Sequence, residues 1–197
     1  MKILITHRRR QRGATLIVSL LLLVIITIMG LAAIRTSTLE ERMARYGVEQ
    51  GVAFQAAEAA LRDAEIDLTG STSTRFGIVQ GVTGFAADCN ATAAAAARIN
   101  GLCLPAPAGS APVWQTQMGV AGAAVTYGTY GGNLPLPTTG GPSSVAQQPR
   151  YVVEGITTPG PGTSLKVGTV NARYRVTAQG FGPRQEVQAW VQTMVQP

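Results

Sequence analysis

From Ala14 to Ile34 the chain reads ATLIVSLLLLVIITIMGLAAI, with no ionisable residue in the run. As a helix these positions extend about 31 Å, close to the roughly 30 Å hydrocarbon core of a bilayer. A soluble core helix would carry a polar face, and this run has none. Thr15, Ser19 and Thr27 can return their hydroxyls to helix carbonyls, so they do not oppose insertion. Lys2, Arg8, Arg9, Arg10 and Arg12 precede the run and hold the N-terminal end in the cytoplasm. In a bacterium everything after Ile34 then lies outside the inner membrane. The same five residues explain most of the net charge of +6, since 11 basic and 10 acidic residues remain beyond Gly13. A basic nucleic-acid-binding surface is the weaker reading.

A plain signal anchor accounts for this much. A secretory signal peptide also has a claim, because Gly30-Leu31-Ala32 and Ala33 offer small residues to a signal peptidase. The apolar run, however, exceeds the usual h-region of about 7–15 residues. A twin-arginine signal fits less well, as Gln11-Arg12-Gly13 follows Arg9-Arg10.

The junction narrows the choice. The charged region ends in Arg12-Gly13 and the apolar run begins at once with Ala14-Thr15-Leu16-Ile17. In this the sequence resembles type IV prepilins, in which a prepilin peptidase cuts on the cytoplasmic side and leaves the helix on the mature protein. The resemblance implies cleavage between Gly13 and Ala14 and N-methylation of Ala14. It departs from the major-pilin pattern at Val18, where those proteins carry a glutamate. A carboxylate in an apolar bundle is costly unless paired, and in pilins it is thought to meet a neighbour's N-terminal amine. A subunit without it suits the first position of a filament.

Further segments resemble the PilX class of minor pilins: Arg35–Ala44, Ala53–Glu65, Leu102–Pro105, Pro149–Glu154 and Tyr174–Ala178. The class implies a non-catalytic subunit that helps to initiate pilus assembly, with adhesion and twitching motility as the outcome. Its implied partners are other minor pilins, the major pilin and a large tip adhesin of the PilY kind. Its implied location is the inner membrane before assembly, with the head periplasmic, and the cell-surface pilus, at the tip, afterwards. A type II secretion pseudopilin of the tip complex remains an alternative that Val18 allows. A signal-anchored or secreted periplasmic binding module is another.

The expected fold is α+β and pilin-like, with a long N-terminal helix packed on a C-terminal antiparallel sheet and a Gly/Pro-rich region between. The divisions are a leader over 1–13, a transmembrane half-helix over 14–34, an amphipathic periplasmic half over 35–68 and a head over 69–197. Leu39, Met43, Tyr46, Gln50, Ala53, Ala57, Leu61, Ala64 and Leu68 recur at three- and four-residue spacing and read as a core stripe. Thr38 and Glu41 fit a capping box, which inside a continuous helix would mark a kink. Gly47 and Gly51 offer either a close helix approach or a bend. Glu58, Arg62 and Glu65 read as surface pairs. Residues 35–68 hold four Arg and seven acids, whereas 69–197 hold seven basic residues and three acids.

Between 70 and 148 strong periodicity is absent. A helix over Thr92–Ile99 and a strand over Val125–Tyr130 are the readings there, with a loop over Leu134–Gln148. Three strands follow, over Tyr151–Ile156, Ala172–Gln179 and Glu186–Val195, separated by turn signals at Pro159–Gly162 and Gly180–Pro183. They read as an antiparallel meander with one face against the helix and Trp190 and Met194 on the other. Arg173 and Arg175 read as outward charges. Cys89 and Cys103 are the only cysteines, and outside the cytoplasm they are expected to form a disulfide closing a loop of about 15 residues.

Catalytic chemistry is missing from this sequence. His7, the sole histidine, lies in the leader, so the mature chain holds no Ser-His-Asp or Cys-His arrangement. No phosphate-binding loop has the required spacing, and nothing around Asp88 completes a calcium loop. Neither an enzyme nor a cofactor or metal is expected.

Overall fold

The computed structural model describes residues 14–70, 73, 75, 79, 82, 84–89, 100–159 and 170–196. The expected helix over Thr92–Ile99 and the turn after Pro159 lie outside these residues. The chain divides into two units, Met1–Tyr46 and Gly47–Pro197.

Helix α1 (Ala14–Thr69) contributes to both units and is uninterrupted over 56 residues. In the first unit every described side chain is exposed, including the whole apolar run. The helix is long and apolar enough to cross a membrane. Ser19 donates to the Leu16 carbonyl at 2.9 Å and Thr27 to the Val24 carbonyl at 2.8 Å, so both hydroxyls are satisfied without water. Thr38 does the same with Arg35, and no break follows it.

In the second unit α1 buries Ala53, Ala56, Ala57, Ala60, Ala64 and Leu68. Of the expected stripe, Ala53, Ala57, Ala64 and Leu68 are buried and Leu61 is half-buried, while Leu39, Met43 and Tyr46 are exposed. The stripe is mostly alanine, which lets the sheet approach the helix backbone. A methyl group on Gly180 would collide with the Ala53 carbonyl and the Ala57 amide. Gly47 and Gly51, by contrast, have open space where a side chain would stand.

The remaining elements are β1 (Leu102–Cys103), a short helix α2 (Val113–Gln117), β2 (Val125–Thr126), β3 (Arg150–Pro159), β4 (Val170–Phe181) and β5 (Gln188–Val195). The meander β3-β4-β5 is antiparallel as expected, with Val153 opposite Val176 and Val176 opposite Thr193. The sheet as a whole is mixed, because β1 runs parallel to β3 while β2 pairs with it antiparallel. Two contacts hold β1 in that direction. Val153 donates its amide to the Gly101 carbonyl at 2.7 Å, and Cys103 is tethered to Cys89. The strand expected over Val125–Tyr130 stops at Thr126, where Thr129 turns back onto the Thr126 carbonyl and Gly128 adopts a φ of +81°.

Period-2 alternation assigns the two faces of the sheet. Tyr151, Val153, Tyr174, Val176 and Ala178 join Ala60, Ala64 and Leu68 in the core beneath α1. The opposite face carries Val152, which packs with Cys89, Cys103, Val113, Met118 and Ala123. That second layer reaches Trp190. Trp114 of α2 covers it in part, with ring centroids 5.3 Å apart, and Trp190 stays 42% exposed.

Candidate functional site

Each unit is taken by itself. In the first unit, Ala14, the residue at which the processing motif expects the mature chain to start, is the first described residue and is helical. Gly13 lies outside the described residues. Val18 sits one turn into the helix, exposed among Leu16, Ile17, Leu20 and Leu21. No acidic residue occupies the first turn. From Ala14 to Ile34 the surface is one of apolar side chains with no partner in this unit, so its chemistry is that of packing against lipid or other apolar helices. Below it Glu41 and Arg45 form an exposed i,i+4 pair at 2.7 Å.

In the second unit, α1 and the sheet enclose two carboxylates that the sequence reading passed over. Asp63 and Asp67 are fully buried, one turn apart on the alanine face. Asp67 receives the Arg75 Nε at 2.8 and 2.9 Å, an Arg75 Nη2 contact, the Ser73 hydroxyl at 3.0 Å and the Tyr151 hydroxyl at 3.0 Å. Arg75, itself fully buried, also donates to the Asn100 carbonyl at 2.6 Å and lies 3.9 Å from the centre of the Tyr130 ring. Burial alone would lower the Arg75 pKa, but the hydrogen bonds and charge of Asp67 outweigh it and raise it. Burial, followed by the Asp67 charge, pushes the Tyr151 hydroxyl well above its ordinary value near 10. Asp63 takes the Gly128 amide at 2.9 Å and Asn133 Nδ2 at 2.7 Å. The two aspartates therefore tie the irregular segments around Arg75 and Gly128 to the helix. Such a network braces loops.

The far side of the sheet is braced separately. Cys89 and Cys103 form a disulfide, as expected, with Cα atoms 4.4 Å apart. Cys89 holds a φ of +58°, a conformation that the bridge and the Gly101–Cys89 hydrogen bond of 3.0 Å maintain. Arg175, read from the sequence as an outward charge, instead makes a bidentate pair with buried Glu154 across the strands, at 2.8 and 2.7 Å. Arg173 does face outward. Glu58, Arg62 and Glu65 are exposed, but among the described residues no ion pair joins them. Among the described residues there is also no cluster of three or more His, Cys, Asp or Glu that could hold a metal.

An apolar helix carrying a small, internally braced head is the arrangement of a pilin, and the comparison with known families decides which kind. Residues 12–62 match the family model described as PilX N-terminal, and residues 99–197 match that of type IV pilus assembly protein PilX C-term. The chain belongs to the PilX family of type IV pilus assembly proteins. No curated protein matches it, and neither does any solved structure.

The two PilX matches meet the two units from opposite ends. The N-terminal match ends within α1, short of the buried aspartates Asp63 and Asp67. The C-terminal match covers α2 and all five strands. As a PilX-family protein the chain is a structural pilin of type IV pilus assembly, and its apolar helix fits membrane anchoring and association with the pilus.

Proposed function

We propose that the chain is a minor pilin that helps to initiate a type IV pilus and to present a PilY-type adhesin at its tip, supporting adhesion and twitching motility. In this reading a prepilin peptidase removes residues 1–13 and Ala14 becomes the methylated N-terminus. Residues 14–34 cross the inner membrane, residues 35–68 continue the helix in the periplasm, and residues 69–197 form the head. The helix then enters the filament through contacts with the major pilin and other minor pilins.

The observation that supports the reading is the family match over 12–62, which takes in an uninterrupted helix that meets no charge from Ala14 until Arg35. Val18 supports an early position. The first subunit has no neighbour ahead whose amine a glutamate would have to neutralise, so an apolar residue there avoids a buried, unpaired carboxylate.

Deletion of the gene tests the function, with sheared surface pili as the readout. The expected result is a severe loss of pili and of twitching, restored by the wild-type gene and not by Gly13→Val. Tagged protein should appear at pilus tips by immunogold labelling. Normal piliation combined with failed protein secretion would assign the chain to a type II secretion system instead.

A further inference from the structure

Strand β5 ends the sheet, with β4 on one side and no strand on the other among the described residues. Its sequence, QAWVQTMV, contains no charge and no proline, the two devices that usually protect an edge. The hairpin fixes which backbone groups face outward. Gly182 donates its amide to the Val187 carbonyl at 2.8 Å, so Val187 is a hydrogen-bonded position. Antiparallel alternation then turns Ala189, Val191, Thr193 and Val195 toward β4. Gln188, Trp190, Gln192 and Met194 direct their amides and carbonyls to the free edge. Gln50 caps the Gln188 carbonyl at 3.4 Å, which leaves the groups of Trp190, Gln192 and Met194 open.

A groove flanks this edge on each face of the sheet. On the helix side, Glu58, Leu61, Arg62, Glu65 and Thr193 line a depression of about 200 Å³. Two carboxylates against one guanidinium make it net acidic. On the other side, Trp114, Thr177, Trp190, Val191 and Gln192 line an aromatic depression of about 220 Å³. A strand added beside β5 sends successive side chains to opposite faces, so it meets these two grooves in turn.

We propose that the free edge of β5 is a docking site for an extended segment of a partner protein that alternates basic with apolar or aromatic side chains. Backbone hydrogen bonds to Trp190, Gln192 and Met194 supply the register of such an added strand. Glu58 and Glu65 select basic side chains on one face, and the Trp114–Trp190 pair receives apolar ones on the other. The inference rests on the second unit, Gly47–Pro197, alone and does not depend on processing at Gly13 or on the position of the subunit in a filament.

The test uses the full chain in detergent micelles and two synthetic eight-residue peptides, one alternating Lys with Val and one alternating Glu with Val. Amide hydrogen exchange is followed residue by residue. The Lys peptide is expected to slow exchange at Trp190, Gln192 and Met194 without changing Ala189, Val191 or Thr193. The Glu peptide is expected to bind at least about tenfold more weakly. Gln192→Pro removes one outward amide, a position at which an edge strand tolerates proline, and should abolish binding. Should that variant not fold, Glu58→Lys combined with Glu65→Lys changes only exposed side chains and should reverse the peptide preference. Equal binding of both peptides, or protection that avoids β5, would overturn the proposal. Concentration-dependent pairing of two copies through β5, with neither peptide competing, would overturn it as well.

Discussion

The two halves of α1 are one helix with opposite relations to their surroundings. From Ala14 to Tyr46 every side chain is exposed, and as far as Ile34 the apolar ones are too many and too evenly distributed to define a face. From Gly47 to Thr69 the helix is amphipathic, with alanines and two aspartates buried and Glu58, Arg62 and Glu65 exposed. Apolar surface alone therefore does not mark the core of this protein. In the first half it has no partner within its own unit, whereas in the second half small residues and buried charge build the fold. Substitutions in the second half should change the unfolding of the head, and substitutions in the first should leave it unchanged.

The largest effect belongs to Asp67. Asp67→Ala leaves the fully buried Arg75 without its anion and is expected to cost about 3–5 kcal/mol in urea denaturation, enough to unfold a marginal head. Joint replacement of Cys89 and Cys103 by Ser releases a loop closed over a separation of 14 residues and should cost about 3 kcal/mol. Gly180→Ala forces a methyl group into the backbone of α1 at Ala53 and Ala57 and should lower stability by about 2 kcal/mol.

Tyr151→Phe should cost about 1.5 kcal/mol at neutral pH through the lost hydrogen bond to Asp67. It should also change the alkaline limb of the stability curve. The folded protein holds the Tyr151 proton more tightly than the unfolded chain does, so that contribution is complete below pH 10 and is lost as the pH rises above it. Denaturation between pH 9 and about 11.5 should show a shallower decline in the Phe variant. In the first half of the helix, Glu41→Ala removes only an exposed pair and should shift helix content slightly, by about 0.5 kcal/mol or less, with no change in the unfolding of the head.

The same contrast explains what could be read from the sequence. The apolar run was legible because no charge interrupts it, and strands β3, β4 and β5 because their β-branched, apolar or alternating patterns extend over many residues. Strands β1 and β2 are two residues each and α2 is five, too short for any period to register. The strands take their positions from the Cys89–Cys103 bridge and from bonds to β3, and α2 from the packing of Val113 in the cluster that contains Val152, which are tertiary facts. Asp63 and Asp67 were missed because charged residues on a helix are usually solvated. Their spacing did carry a signal, since Asp63 and Asp67 continue the three- and four-residue rhythm of Ala53, Ala56, Ala60 and Ala64. Arg75 could not be paired with them from sequence, because it follows a stretch of Gly, Ser and Thr with no period of its own. Similarly, the alternation of β4 puts Arg175 on the face away from α1, and only the cross-strand register reveals Glu154 beside it, which makes it a paired charge and not a solvated one.

The central claim is that the run beginning at Ala14 is kept as the N-terminus of the mature subunit. Intact-mass measurement of the protein from the membrane fraction tests it most directly, alongside a Gly13→Val variant. The account predicts a chain that starts at Ala14 and carries one added methyl group, with the variant retaining Met1–Gly13. A wild-type chain that starts at Met1, or one that starts near Ala33, would contradict it.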